Sequence, residues 1–524
     1  MPTYPDVNPD LRRSPIFRVR GQRSRWYYPN ENLTPEHCEL LRNVNITERG
    51  TALRRYGYQL YNSAQFSEGS KSVTGLAQQT WKTNGAQQVE CGGTKVYANN
   101  GTTRKDITGA FSITDSATNL YKFAFTRDAL VATNSVDDVW QWGGDFTTPT
   151  AIAAISGAPF TCCEDVVIHR NLLMVLGPTE SGTKYPTRIR WNDIETRTFT
   201  TSITSWPTAN RYELYDGGPA IIGAVDNWGF LNVFKRDGMY PCYVDYVNGL
   251  LDFKAPERNN LILGFTPIAR CGMVVRPEFI FVVCAEGCLA IRPDLTTQWI
   301  TKDVQSDWLA LNQNRLPYAV SWIRAKDHQV RTLVSSSSNS TGHDQIMVWD
   351  WESNDVWFDT PNDKMNYAAQ LKSSNVEYDY LGTTTGYTMQ GNTSTTDNGS
   401  TFMWQIKMAP NDLGLPGVTK TIVNFISLFR NKAGQTAVDV RIERDMNMLP
   451  TRQQSQTWGT SYKWNTGIKW NSGKFWPGGT TDRKKFGVNR TCENFRPRWS
   501  GTGNVELVGY QVDYMVHETV DEDR

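Results

Sequence analysis

Several things are scarce in this chain. No apolar run comes near the roughly 20 residues needed to cross a membrane as a helix. The opening Met-Pro-Thr-Tyr-Pro-Asp lacks a charged-then-apolar pattern, so no secretory leader is expected. Histidine occurs five times, at His37, His169, His328, His343 and His517, and no two stand three or four residues apart. That spacing excludes a helical metal-binding pair. The nine cysteines are odd in number and irregularly placed. Cys162 and Cys163 are adjacent, and Cys284 and Cys288 have three residues between them, so no Cys-x-x-Cys zinc or redox pair exists. Reduced, structural thiols in a chain made in a cytoplasm are expected.

Catalytic patterns are scarce too. There is no Gly-x-Ser-x-Gly elbow for a serine hydrolase. Gly473-Lys474 runs into Phe475 without the upstream glycine of a phosphate loop. Gly501-Thr-Gly503 continues as Asn-Val-Glu, so the dinucleotide fingerprint fails at its third glycine. No Asp-x-Asp-x-Asp-Gly calcium loop appears. The acidic pairs Asp137-Asp138 and Glu164-Asp165 read as solvated turns. No catalytic residue, metal ligand or cofactor site is expected, and the chain is read as non-enzymatic.

Strand and turn chemistry is abundant. Of 524 residues, 39% are hydrophobic and 12% aromatic, with 41 Gly between short apolar runs. Such a mixture favours strands and tight turns over long helices. Hairpins follow one another. Leu120–Phe125 turns at Arg127-Asp128 and returns as Ala129–Thr133. Leu231–Phe234 and Met239–Val244 flank Arg236-Asp237-Gly238. Phe279–Val283 and Leu289–Ile291 flank Ala285-Glu286-Gly287. Met347–Trp351 and Val356–Phe358 flank Ser353-Asn354-Asp355. Glu377–Leu381 and Tyr387–Gln390 flank Gly382–Gly386. The series predicts an all-β chain: a β-propeller of six or seven irregular blades with loop insertions. A pair of β-sandwiches fits less well.

Three segments are distinguished. Residues 1–33 form an extended arm, punctuated by five prolines that oppose helix and central strand. Residues 34–420 form the propeller core. It starts with a short helix, because Thr34-Pro35-Glu36 reads as an N-cap, a first-turn proline and a dipole-matching acid. Residues 421–524 form a C-terminal β region, with strands at Thr421–Phe429, Ala437–Ile442 and Val505–Val516, able to close the propeller.

Net charge is +1, so no global attraction to polyanions is expected. Charge is nevertheless concentrated at the ends. Arg12, Arg13, Arg18, Arg20, Arg23 and Arg25 fall within residues 11–26, which hold no acid, and the last eight residues are acid-rich. The arginines could contact phosphates or an acidic protein surface. Docking of the arm on a neighbouring subunit is the favoured reading. Trp458, Trp464, Trp470 and Trp476 recur every six residues. An even period puts them on one face of an extended segment. They form either a packing ladder, the favoured reading, or a platform that stacks on sugars or bases.

Four stretches together carry a resemblance. Pro35 to Gly57 holds Asn43-Val44-Asn45-Ile46, then Gly50, then Arg55-Tyr56-Gly57. Arg188-Ile-Arg190-Trp191-Asn192-Asp193 follows, then Leu231-Asn-Val233-Phe234-Lys235-Arg236-Asp237-Gly238-Met-Tyr240, then Phe279–Val283 with Glu286-Gly287. In order and spacing they resemble the tail nozzle proteins of short-tailed bacteriophages, also called packaged-DNA stabilisation proteins. The likeness spans residues 35–360 and thins beyond, and Asn192 stands where that family has Ser.

The resemblance implies a virion structural protein at the tail tip, made in the host cytoplasm. It implies a homohexameric ring below the adaptor that follows the portal, with double-stranded DNA passing through the lumen during ejection and retained there until infection. Tail fibres or a spike are further partners it suggests. Three rival readings of the residues stand beside it: a carbohydrate- or receptor-binding tail propeller using Trp464 and Trp470, a polysaccharide-degrading propeller hydrolase, and a scaffold propeller of eukaryotic type.

Overall fold

The computed structural model describes residues 11–23, 35–47, 50–62, 65–66, 68–81, 85–100, 103–126, 129–144, 150–192, 205–215, 218–247, 250–254, 261–373, 376–431, 437–444, 447–457 and 482–517. Among the described residues nearly every element is a strand, and the one α-helix spans Gln305–Leu309. The expected propeller is present. Six small sheets of four or five strands stand alone, and a further four-stranded unit, Val320–Asp359, is one end of a nine-stranded sheet. The first strands of these seven units are Val73–Trp81, Lys122–Phe125, Asp165–His169, Ile221–Asn227, Val274–Arg276, Val320–Arg324 and Met365–Ser373. Each packs on the next around a common axis, and the last packs back on the first. Blades are numbered one to seven in this order below.

The expected hairpins become paired strands. Lys122–Phe125 pairs with Leu130–Thr133, Phe230–Lys235 with Gly238–Val247, and Phe279–Val283 with Cys288–Ile291. Gln345–Asp350 pairs with Asp355–Asp359, and Val376–Thr383 with Thr388–Ser394. Separate apolar cores fill the spaces between blades. Val89, Trp140 and Trp142 lie between blades one and two, and Leu231, Tyr240 and Ile189 between three and four. Trp308, Phe281 and Trp349 lie between five and six. Neighbouring sheets thus bury each other's apolar faces, which no single blade could do alone.

The C-terminal region does not close the ring. Gly57–Leu60 does, pairing with Thr388–Ser394 as the fourth strand of blade seven. Gly57 is required there, since an added Cβ would lie 2.0 Å from the Thr396 carbonyl oxygen.

A β-sandwich stands beside the propeller and draws on both ends of the chain. One sheet runs Val44–Ile46, Ala52–Arg54, Val505–Val516, Lys420–Asn431, Asp482–Cys492, with Arg12–Arg13 also on Val505–Val516. The other runs Cys38–Arg42, Trp404–Met408, Phe495–Gly501, Ala437–Arg444, Asn447–Thr457. The second sheet is continuous with blade six, because Arg42 pairs in parallel with Phe358. The sandwich core is aromatic. Trp499 stands 5.8 Å from Phe425 and 5.7 Å from Tyr510, and its indole N–H donates to Ser427 Oγ at 2.9 Å.

The boundary expected at residues 34 and 420 therefore moves. Residues 38–54 belong to the sandwich, and its first strand after the propeller starts at Trp404. The short helix expected after Pro35 is a strand, Cys38–Arg42. A helix bounded so closely would be marginal in water. As a strand, the segment pairs on one side with Trp404–Met408 and on the other with blade six, which satisfies its backbone groups.

Candidate functional site

The arm comes first, because the sequence placed its candidates there. Its described part, residues 11–23, lies on its own chain. Arg12 and Arg13 pair with Tyr514 and Asp513. The Arg13 guanidinium grips the Asp513 carboxylate, with Nε to Oδ1 at 2.7 Å. Burial pushes the Asp513 carboxyl up, but the hydrogen bonds from Arg13 and its charge outweigh this and hold it below the ordinary range. Phe17 stacks on Tyr510 with ring centroids 5.0 Å apart. Gln22 donates to Asp307 at 3.0 Å and accepts from the Leu41 amide at 3.2 Å. Arg20 pairs with Glu36 at 3.4 Å, and Arg23 with Asp303. Arg18 lines a cleft of about 610 Å³ with Arg20, Glu36, Asp350, Glu352 and Asp355. Thus Arg13, Arg20 and Arg23 have partners within the chain, while Arg12 and Ile16 face outward. Arg25 and the ladder of Trp458, Trp464, Trp470 and Trp476 lie outside the described residues.

The histidines are scattered. His343 is buried, bonded to Ser335 Oγ and the Tyr318 carbonyl, each at 3.0 Å. Burial, with Arg315 nearby, lowers its ring to about 3. His37 is lowered to about 4 by burial and by Arg23 and Arg20. His169 meets Asp226 at 3.0 Å, and His328 meets Glu352 at 2.7 Å. All nine cysteines are free thiols, and only Cys162 is less than buried. Among the described residues, no three His, Cys, Asp or Glu side chains converge on a metal-sized site, and no helix is long and apolar enough to cross a membrane.

The structure adds two charged centres the sequence did not reveal. The first seals the propeller axis. Arg270, entering blade five, donates to the Glu164 carbonyl at 2.6 Å, to Ser135 Oγ and to the Leu120 carbonyl. One guanidinium thus ties three segments of blades two and three across the axis. Beside it, Asp165 is fully buried, which overturns its reading as a solvated turn residue. Its carboxylate accepts the Val166 and Ala224 amides at 2.8 and 3.0 Å, joining blades three and four. Gly223 permits that approach, since a Cβ there would lie 2.6 Å from Asp165 Oδ2. Burial raises the Asp165 carboxyl despite the opposing charges of Lys122 and Arg270. A turn signal hid this residue, which in fact opens an inner strand.

The second centre welds propeller to sandwich. Arg55 forks onto Asp397, with Nη1–Oδ1 at 2.8 Å and Nη2–Oδ2 at 2.6 Å. Both groups are buried, and Arg55 lies 3.9 Å over the Phe402 ring. Asn43, in the left-handed region at φ 56°, accepts from Arg55 Nε at 2.9 Å and from the Thr360 amide at 2.7 Å. Its own amide donates to the Met403 carbonyl at 2.7 Å and to Thr360 Oγ1 at 2.9 Å. Two side chains twelve residues apart thereby fix the sandwich strands to blade six and to the 397–403 connection. Asp359, close by, is fully buried, and both its carboxylate oxygens lack a hydrogen-bond partner. Burial raises its carboxyl, against the pull of Arg55 and Arg331.

No family model matches the chain, and no curated protein matches it. Among solved structures it is similar to the WD40 domain of Neurospora crassa Pan2, at 9% identity and TM-score 0.40, covering 66% of this chain and 98% of that one. It is also similar to BBS1N, solved in complex with ARL6DN, at 12% identity and TM-score 0.40, covering 64% and 97%. Overlaps this loose carry no functional argument, and the propeller assignment stands on the strand pairing itself.

Proposed function

We propose that the chain is a virion structural protein: the subunit of a homohexameric ring at the tail tip of a short-tailed bacteriophage, which retains packaged DNA and conducts it on infection. The observation that carries this reading is where the resembling residues fall. Asn43 and Arg55 form the knot between the two β units, and Gly57 opens the strand that closes the propeller. The later stretches are blade strands: Arg188–Trp191, the Phe230–Lys235 hairpin and the Phe279–Val283 hairpin. The family-like positions are thus framework positions, as suits a wall element whose work is to hold shape.

A stiff unit supports the same reading. The nine-stranded sheet runs unbroken from blade six into the sandwich. Arg270 crosses the propeller axis to blades two and three, so on this reading the DNA path is the space enclosed by the ring, not the centre of any one protomer. A net charge of +1 suits a wall that passes a polyanion without gripping it. Ring contacts of this kind are heterologous and close by rotation. The outward residues Arg12 and Ile16 of the arm are candidates for the neighbouring subunit or the adaptor; fibres or a spike are further candidate partners.

The test is electron microscopy of the purified protein, alone and mixed with the portal–adaptor complex of its source virus. A sixfold ring with an axial channel at the end of that complex is expected. Isolated discs in both samples would overturn the reading and favour a receptor- or glycan-binding propeller.

A further inference from the structure

We infer that the open end of the propeller axis binds a small apolar monocarboxylate, held by the Lys122 ammonium. The Arg270 seal divides the axis. On one side of it lies a funnel of about 600 Å³, walled by the inner strands of blades one, two, five, six and seven. This volume is in the range of sites that enclose a drug-sized molecule, about 300–1,000 Å³. The wall is mostly apolar, with Phe123, Met273, Trp322 and Leu371. At the rim, Phe125 and Val275 are left 46% and 37% exposed, large apolar side chains in water with nothing described over them.

Polar groups in the funnel are few, and most are committed. Gln78 both donates to and accepts from the Lys372 backbone, at 2.6 Å each way. Gln370 donates to Glu377 at 3.1 Å, and Ser321 bonds to Thr332 at 2.9 Å. Arg270 is engaged by three oxygen acceptors. Lys122 is the exception. It lines the funnel half-buried, and among the described residues its ammonium has no hydrogen-bond or ion-pair partner. It acts through space on the buried Asp165, more strongly than Arg270 does, and on the Cys271 thiol. Two cations act on that one carboxylate, so this stretch of the axis carries net positive charge, and Lys122 is the one of the two that lines the funnel.

Charge and shape together select the ligand. Net positive charge at an apolar wall favours an anion, and the surrounding side chains favour one with an apolar body. A lone lysine offers a compact point charge without the planar fork that suits a phosphate. A carboxylate of single charge matches the excess. This site does not rest on the ring reading and would stand if that reading failed.

The experiment is isothermal titration of the full chain with decanoate and 3-phenylpropionate, each against its primary amide. The native chain should bind each carboxylate about tenfold or more tightly than the amide, as a charge-assisted bond would give. Lys122→Gln should abolish that preference while leaving weak binding of both. Phe125→Ser, a change at the half-exposed rim, should weaken acid and amide alike. Equal binding of acid and amide by the native chain, no binding of either, or a preference that survives Lys122→Gln would overturn the proposal. If Lys122→Gln fails to fold by circular dichroism, the acid–amide comparison on the native chain and the Phe125→Ser result decide it.

Discussion

The propeller and the sandwich are built from the same strands in opposite ways. Blades one to six are each assembled from chain that is nearly consecutive, hairpin upon hairpin, and blade seven adds only the distant strand Gly57–Leu60. The sandwich is assembled from distant pieces: Arg13 meets Asp513, Cys38–Arg42 meets Trp404–Met408, and Ala52–Leu53 meets Glu506–Leu507. Local pairing costs little loop-closure entropy, whereas pairing across most of the chain must wait for the intervening residues to be ordered. The propeller is therefore the part that can form by itself, and the sandwich is the part that certifies the whole. Asn43, Arg55, the shared sheet and the arm, through Gln22 on Asp307 and Arg23 on Asp303, make one depend on the other.

The sharpest way to break that dependence is Arg55→Ala. It leaves Asp397 buried and unpaired, and a loss of about 3–5 kcal/mol in urea unfolding is expected. Replacing both partners, Arg55→Met with Asp397→Leu, should recover most of it; a double variant as unstable as the single would mean the pair is not the joint. Trp499→Ala should cost a similar amount, about 3–5 kcal/mol, by opening a cavity between the two sheets of the sandwich. Its effect should appear first as protease sensitivity of the sandwich and the arm, with the blades still protected in hydrogen exchange.

Arg270→Met tests the propeller alone. It strands the Leu120 and Glu164 carbonyls, and a loss of about 2 kcal/mol is expected, with faster exchange in blades two and three and little change in the sandwich. Acid should act through His343. Its folded ring stays neutral down to about 3, while in the unfolded chain it takes a proton near 6.5. Its contribution is complete above the unfolded value and is lost as pH falls toward 3, by roughly 1.4 kcal/mol per pH unit. His343→Gln should flatten the stability curve below pH 6; an unchanged slope would place the titration elsewhere.

The smallest effect belongs to Arg13→Ala. The guanidinium is more than half exposed, so a loss under about 1 kcal/mol is expected. Because the Asp513 carboxyl is held low, that contribution is present above the ordinary aspartate value, near 4, and fades as pH falls below it. A urea midpoint equal to that of the native chain at pH 3, but lower at pH 7, would bear this out.

The same contrast explains what could be read in advance. Blade hairpins such as Phe279–Val283 with Cys288–Ile291 announce themselves, because the alternation, the turn and the return strand all lie within a dozen residues. Nothing near Gly57 announces that its strand completes blade seven, since its partner is Thr388–Ser394. Thr34-Pro35-Glu36 carries a sound local helix signal, yet two long-range partners make the residues from Cys38 a strand. The arm was legible as extended, but its acceptors, Asp513 and Tyr510, are near the other end of the chain. Asp165 reads as a solvated turn residue, and Arg270 does not stand out at all, for a related reason. A carboxylate after a turn and a lone arginine before a strand look ordinary until the blades bring both to one axis.

Synthesis on the ribosome proceeds from the first residue to the last, and this gives the seating of residues 11–23 a temporal meaning. Arg13 emerges 500 residues ahead of its partner Asp513. Until the strand Val505–Val516 is made, Arg13 lacks its carboxylate and Phe17 lacks the Tyr510 ring it packs against. A chain stopped before that strand could still wind most of its blades, yet Phe17 would stay uncovered and Arg13 unpaired.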